Sequence, residues 1–260
     1  MGMKQAAFFD LDKTVIAKSS TLAFGKPFYK AGLFGTRTLM KIGFAQLLYV
    51  LFGADEDSLE KARDQMLKLT AGWHRSEIEQ LVEETLDEVA APLVYAEALF
   101  LIDEHKRNGR DVYIVSASPE QVVRPVARHV GVSKIIASRV KTDEAGFFLP
   151  ELERYAMGQG KADAINEIVE QQDIDLEGSY AYSDSITDLP MMEMVGNPVA
   201  VNPEKELRKV AEERGWPILE FQRPVSLGEP LRNRVPKSGA LVAAVVGGFA
   251  VATLLRKKRV

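Results

Sequence analysis

Short apolar runs alternate with helical stripes along most of the chain. Ala6–Phe9 is apolar and stops at Asp10, the pattern of a fully buried strand. Asp111–Val115, Lys134–Val140, Ser179–Tyr182 and Pro198–Val201 read the same way, and Thr142–Gly146 turns the third of these five runs into a hairpin with Phe147–Leu149. Helical patterns lie between them. Glu97–Asn108 is closed by Gly109. Val122, Val123, Val126 and Val130 share a face behind Ser118 as N-cap and Pro119 at the first helical position, with Pro125 as a kink site. Ile165, Ile168 and Val169 form an i, i+3, i+4 stripe. Asn202-Pro203 opens a last helix with Leu207, Val210 and Ala211 inward and Gly215 as its stop. Strand and helix in alternation predict an α/β fold: a doubly wound, Rossmann-like parallel sheet covered on both faces.

Residues 18–95 break the alternation. They have helical character, no convincing strand, and punctuation at Pro27, Gly32, Gly35 and Gly53. This block predicts an inserted all-helical cap domain, leaving 1–17 and 96–220 as the core. The other end of the chain differs again. Gly239–Leu255 is seventeen residues without a charge, between Arg232, Arg234 and Lys237 on one side and Arg256–Arg259 on the other. As a helix it rises roughly 25 Å, at the short end of what crosses a bilayer. A buried core helix is the alternative, but such a helix rarely ends a chain between two basic clusters. The expectation is a C-terminal transmembrane helix at 239–255, with 221–238 and its three prolines as a tether. Ala243/Gly247 and Ala244/Gly248, at spacing four, would let two such helices pack as a homodimer. The N-terminus has no secretory pattern, so the expected placement is membrane-anchored with the catalytic part in the cytoplasm.

Composition narrows the chemistry. The 260 residues hold 33 Lys+Arg against 37 Asp+Glu, a net charge of −4 that gives no reason to expect a nucleic-acid partner. There is no cysteine, which excludes disulfides, thiolate zinc sites, iron–sulfur clusters and a cysteine nucleophile. Of the three histidines, none pairs with another at metal-ligand spacing.

In an open parallel sheet, sites form beyond the carboxyl ends of the strands. There the chain places Asp10-Leu11-Asp12-Lys13-Thr14, then Ser116-Ala117-Ser118, then Lys161 after Gly158-Gln159-Gly160, then Ser183-Asp184-Ser185-Ile186-Thr187-Asp188. Each alone reads as a solvated turn or a cap. Together they are carboxylates, a hydroxyl and a lysine at one sheet edge, a set suited to phosphoryl transfer. Asp10 and Asp184 can supply the one or two carboxylates that Mg²⁺ takes beside phosphate and water. Lys161 would neutralise charge on the transferring group, and Ser116 with nearby N–H groups such as that of Ala117 would donate to phosphate oxygens. A carboxylate is the available nucleophile, and a second carboxyl two residues on can exchange protons with the leaving alcohol and water.

On these four motifs the chain resembles the haloacid dehalogenase superfamily, in particular its phosphoserine-phosphatase-like branch, subfamily IB, with a helical cap. D-x-D-x-T is Asp10–Thr14, the strand ending in a hydroxyl is Tyr113–Ser116, the lysine is Lys161, and the acidic pair is Asp184 and Asp188. The resemblance implies a Mg²⁺-dependent phosphomonoester hydrolase with an aspartyl-phosphate intermediate. In it Asp10 is nucleophile and metal ligand, and Asp12 is general acid/base and lends its backbone carbonyl to the metal. Ser116, Ala117 and Lys161 hold the phosphoryl group, Asp184 ligates the metal, and Asp188 and Thr187 support the site. An acid at Asp12 implies a phosphatase, since the superfamily's dehalogenases lack it.

The substrate is less determined. Phosphoserine phosphatases usually read D-S-T where this chain has Asp12-Lys13-Thr14, and carry a glutamate for the serine amino group where this chain has Ala17-Lys18-Ser19-Ser20. In the cap, Phe24, Phe28, Tyr29, Leu33 and Phe34 are interleaved with Lys26, Lys30, Arg37 and Lys41. These apolar residues either form the cap core or make a basic, greasy surface towards a bilayer, where a lipid phosphate would be the substrate. Phosphoserine or another small metabolite is the alternative. A catalytically silent membrane-tethered binding protein is a reading of another class, disfavoured because Asp10, Asp12 and Asp184 are all present.

Overall fold

The structure, a computed structural model, describes residues 4–33, 35 and 56–222. Strands β1 (Ala6–Asp10), β2 (Asp111–Pro119), β3 (Lys134–Thr142), β4 (Phe148–Arg154), β5 (Tyr180–Ser183), β6 (Asn197–Val201) and β7 (Ile218–Leu219) form one sheet in the order β4-β3-β2-β1-β5-β6-β7. Neighbours are parallel except β3 and β4, which form the expected antiparallel hairpin at one edge. β1 is central and buried along its whole length, as an apolar run covered on both faces must be. Phe9 faces one apolar cluster with Ile114 and Tyr182, and Phe8 faces the other with Tyr113, Val115 and Ile165. Consecutive side chains of a strand point to opposite faces, so one Phe-Phe pair serves both layers. The chain runs from β1 outwards to β4 and returns to β5 on the other side of β1. That reversal puts the switch point of the sheet between β1 and β5.

Between β1 and β2 every described regular element is helical: α1 (Ser20–Ala23), α2 (Gly25–Lys30), α3 (Glu56–Thr70), α4 (Arg75–Val89), a 3₁₀ turn (Ala91–Leu93) and α5 (Ala96–Arg107). The remaining helices are α6 (Glu120–His129), α7 (Gln159–Gln172), a 3₁₀ turn (Ile186–Asp188), α8 (Leu189–Glu193) and α9 (Lys205–Arg214). Among the described residues, two sets of backbone hydrogen bonds join the helical block to the rest, and α4 packs against α6 between them. At its base, the Ala17 N–H donates to Leu93 O (2.8 Å) and the Tyr95 N–H to Val15 O (3.0 Å). At its far side it reaches the β3–β4 hairpin. There the Gly72 N–H donates to Phe148 O (2.9 Å), the Phe148 N–H to Trp73 O (2.9 Å) and the Arg75 N–H to Gly146 O (3.0 Å). Phe147 meets the His74 ring edge to face.

Three local expectations change. Ser118 does not cap α6: β2 continues through Pro119, which is itself the N-cap residue, and Ser118 turns its hydroxyl elsewhere. The last helix begins after Glu204, with Val210 only half-buried. Phe221, at the start of the expected tether, is buried; Asn202 Oδ1 accepts from its N–H (2.8 Å) and Tyr95 meets its ring edge to face. Among the described residues no helix is long and apolar enough to cross a membrane. The expected span at 239–255, most of the tether, and Phe34, Arg37 and Lys41 lie outside the described residues.

His105 on α5 has no solvent exposure and lies among Phe9, Tyr180 and Tyr182, with Nε2 2.8 Å from the Tyr182 hydroxyl. Burial, aided by the Arg110 guanidinium, lowers its pKa to about 3. The imidazole is therefore neutral when folded but takes a proton below about pH 6.5 when unfolded. The unfolded state binds the extra proton, so this contribution is complete above pH 6.5 and is lost as pH falls towards 3. At ~1.4 kcal/mol per unit it is worth on the order of 5 kcal/mol. Urea unfolding between pH 7 and 4 is expected to show stability falling with pH, with a shallower slope in His105→Gln.

Candidate active site

Four chain segments deliver side chains to the switch point. β1 ends at Asp10, and the tight turn after it places Asp12 and Lys13, the latter with φ +58, a left-handed backbone rare for lysine. β2 carries Ser116 and Ser118. α7 starts at Gln159 and presents Lys161 from its first turn. β5 ends at Ser183, and the 3₁₀ turn after it brings Thr187 and Asp188. Gly160 lets the start of α7 approach the preceding loop, because a Cβ there would collide with the Tyr155 carbonyl.

All eight residues picked out by sequence (Asp10, Asp12, Ser116, Ala117, Lys161, Asp184, Thr187 and Asp188) line one cavity of about 220 Å³. Lys161 is its hub. Nζ donates to Asp10 Oδ1 (2.6 Å) and Asp188 Oδ2 (2.7 Å), and the Ser183 hydroxyl donates to the same Asp188 oxygen (2.6 Å). All three members of this ion cluster are at least 94% removed from solvent. Asp12 is held separately. Its Oδ1 accepts from the Ser20 N–H (2.9 Å) and its Oδ2 from the Ser118 hydroxyl (3.4 Å), while Ser20 and Ser118 share a hydrogen bond of 2.8 Å. Ser116 Oγ accepts from the Ser118 N–H (3.1 Å). Asp184 has Lys13 Nζ at 3.7 Å.

One residue of this cavity, and the serine pair that holds Asp12, escaped the sequence. Glu204, just before α9, lines it and binds the turn after β5: its Oε1 accepts from the Ile186 N–H (2.8 Å) and the Ser185 hydroxyl (3.1 Å). Alone, an acid before a helix reads as an ordinary helix-start residue. Ser20 and Ser118 lie 98 positions apart and give no local signal.

The electrostatics are one-sided. Buried Lys161 stays protonated: burial works against its charge, but the attraction of Asp10 and Asp188 outweighs it. That one buried cation does not balance the acids. Burial pushes Asp10 well above the usual carboxylate range; Lys161 opposes this and Asp188, Asp184 and Asp12 add to it. Burial raises Asp12 against the Ser20 hydrogen bond, and Asp184 is pushed up to about 7 by burial, opposed by Lys13 and aided by Asp188 and Glu204. Surplus buried negative charge is what a divalent cation relieves. Among the described residues no three acids or histidines are grouped as an all-protein cage. Mg²⁺ takes only one or two carboxylates, so the donor set of Asp10, Asp184 and nearby carbonyls fits it.

A parallel sheet with a carboxylate–lysine–hydroxyl cavity at its switch point defines a hydrolase of the phosphatase type. The chain belongs to the haloacid dehalogenase-like hydrolase family, whose model matches residues 7–193. It is 47% identical over 251 residues to a probable phosphatase from Mycobacterium tuberculosis, an alignment covering 96% of this chain and 86% of that one. A phosphoserine phosphatase of the same organism is 29% identical over 92% of this chain and 79% of its own length. A phosphoserine phosphatase solved as a phospho-aspartyl intermediate analogue shares the fold, with a TM-score of 0.60 at 18% identity over 85% of this chain and 95% of that one.

Proposed function

We propose that the chain hydrolyses phosphomonoesters through an aspartyl-phosphate on Asp10. The observation that carries this reading is the Lys161 cluster: one Asp10 oxygen is held by the lysine, and the other accepts no hydrogen bond from the described residues. That free oxygen attacks phosphorus. The bond from phosphorus to the ester oxygen breaks, and Asp12, whose raised pKa favours the acid form, gives its proton to the departing alkoxide. Water then attacks the phosphorus of the aspartyl-phosphate and loses a proton to Asp12. Inorganic phosphate leaves and the Asp10 carboxylate is restored. Lys161, the Ser116 hydroxyl and the Ala117 N–H steady the phosphoryl oxygens, with Asp188 and Thr187 behind them. Mg²⁺, held by Asp10, Asp184 and the Asp12 carbonyl, would offset charge on the phosphoryl group.

The helical block at 18–95 serves as cap over a core of 1–17 and 96–220. The apolar stretch at 239–255 anchors the enzyme to the membrane through 223–238, since Phe221 and Gln222 are held by the core, with the catalytic part cytoplasmic and the small-residue spacing supporting a homodimer. This placement favours a lipid phosphate. The relatives' names favour a small metabolite such as phosphoserine, against which stand Lys13 and Lys18.

The test is phosphate release by the full chain in detergent from p-nitrophenyl phosphate, phosphoserine and lysophosphatidate. Release is expected with Mg²⁺, to fall at least 100-fold in EDTA, and to return on adding Mg²⁺ back. Undiminished release in EDTA would remove the metal from the proposal. No release from any substrate would remove the phosphatase.

A further inference from the structure

Beside the catalytic cavity lies a second and larger one, about 670 Å³, against about 220 Å³ for the first. The two share Lys13 and Ser19 in their linings, so they meet at the turn after β1. The smaller suits a phosphoryl group; the larger is within the size range of small-molecule sites. Their charges are opposite. Asp10, Asp12, Asp184, Asp188 and Glu204 dominate the first. The second has Lys13, Lys18, Lys26 and Lys30 against the single acid Glu88. This is a basic groove on a chain of net charge −4.

The lysines are not accounted for by the fold. Lys18, Lys26 and Lys30 are exposed and make no ion pair with any described residue, Glu88 included. Lys26 and Lys30 stand four apart on α2, a helix of only six residues, where like charges on one face are unfavourable. Lys13 leans to Asp184 at 3.7 Å from a left-handed backbone, so the turn itself carries a cation across the junction of the two cavities. Between the lysines the floor is apolar, with Leu22, Val89 and Leu93.

We propose that this groove binds the leaving group of the substrate, and that the leaving group carries a second anion, a phosphate or a phosphodiester, held by Lys18, Lys26 and Lys30. The inference rests on the phosphatase reading above and sharpens it. Acids draw no anion into the first cavity by themselves, whereas a basic groove beside it supplies attraction that does not depend on the reacting phosphoryl group. The apolar floor accepts the carbon chain between the two anions. A leaving group ending in an ammonium meets like charge there.

The full chain is assayed in detergent with Mg²⁺ on hexane-1,6-diol monophosphate, its bisphosphate, and p-nitrophenyl phosphate. The bisphosphate offers two equivalent esters, so indifference to the second anion gives a kcat/KM ratio of about 2. The expected ratio is at least about 20, expressed in KM. In Lys18→Gln/Lys26→Gln/Lys30→Gln the ratio is expected to fall to about 2, while Lys205→Gln/Lys209→Gln on α9 keeps the native ratio. A native ratio of about 2 with p-nitrophenyl phosphate still hydrolysed overturns this inference and leaves the phosphatase intact. So does a high ratio that survives in the triple variant. Failure to hydrolyse p-nitrophenyl phosphate overturns the phosphatase and the inference with it. Phosphatidylcholine vesicles carrying phosphatidylglycerol phosphate distinguish the sources. Lysine-dependent release faster from the vesicles than from the bisphosphate supports a lipid headgroup; the reverse order supports a free bisphosphate.

Discussion

Asp10→Asn is expected to abolish phosphate release, by at least about 1,000-fold, without unfolding the protein. The amide keeps the volume of the carboxylate and removes its nucleophilic charge. The fold should tolerate it because Lys161 retains Asp188 at 2.7 Å. It also removes a buried acid from a cavity in which burial and three neighbouring carboxylates already oppose ionisation of Asp10. Stability is thus expected to stay level or rise, since a surplus buried charge is lost. Phosphate release and thermal unfolding, measured on the same preparation, check both halves. Normal turnover would refute the nucleophile.

Lys161→Met is expected to cost both activity and stability. Methionine matches the length of the stem but leaves Asp10 and Asp188 without their shared cation at a site where Lys161 is 3% exposed. Removing one partner from a buried ion cluster typically costs ~3–5 kcal/mol. Asp10 can take up a proton in response, which places the expected loss near the lower end, about 3 kcal/mol. Urea unfolding at pH 7 in EDTA reads this directly. Activity is expected to fall at least about 100-fold, because charge on the phosphoryl oxygens loses its buried donor. The contrast with Asp10→Asn separates the two roles: both variants are inactive, and only the lysine variant is destabilised.

Much of the site was legible because its residues end apolar runs. Asp10 closes Ala6–Phe9, Ser116 follows Tyr113–Val115, and Asp184 follows β5, so strand pattern and chemistry point to one edge. Lys161 was legible by its place before the Ile165 stripe. What stayed hidden depends on contacts distant in sequence. Ser118-Pro119 has the local form of a cap, yet Ser20 and Asp12 claim its hydroxyl. Strand β7 is two residues long and pairs only at the sheet edge with β6, too short for any periodicity. β4 extends beyond the apolar Phe147–Leu149 into Glu151, Glu153 and Arg154, because one edge of the hairpin faces solvent and its ladder needs no apolar side chain there. The basic groove draws Lys13 and Lys18 from the β1 turn and Lys26 and Lys30 from α2, residues whose spacing alone describes a solvated surface.

The attachments of the helical block set its mechanics. It is joined to the sheet at Ala17–Leu93 and Val15–Tyr95, and again where Gly72, Trp73 and Arg75 meet the β3–β4 hairpin. Between these, α4 lies against α6, with Arg128 Nη1 3.2 Å from Glu83, and the Ser20 hydroxyl meets that of Ser118 at 2.8 Å. Held along a seam rather than at a point, the described helices are clamped, and a displacement of the hairpin or of α6 is passed on to them.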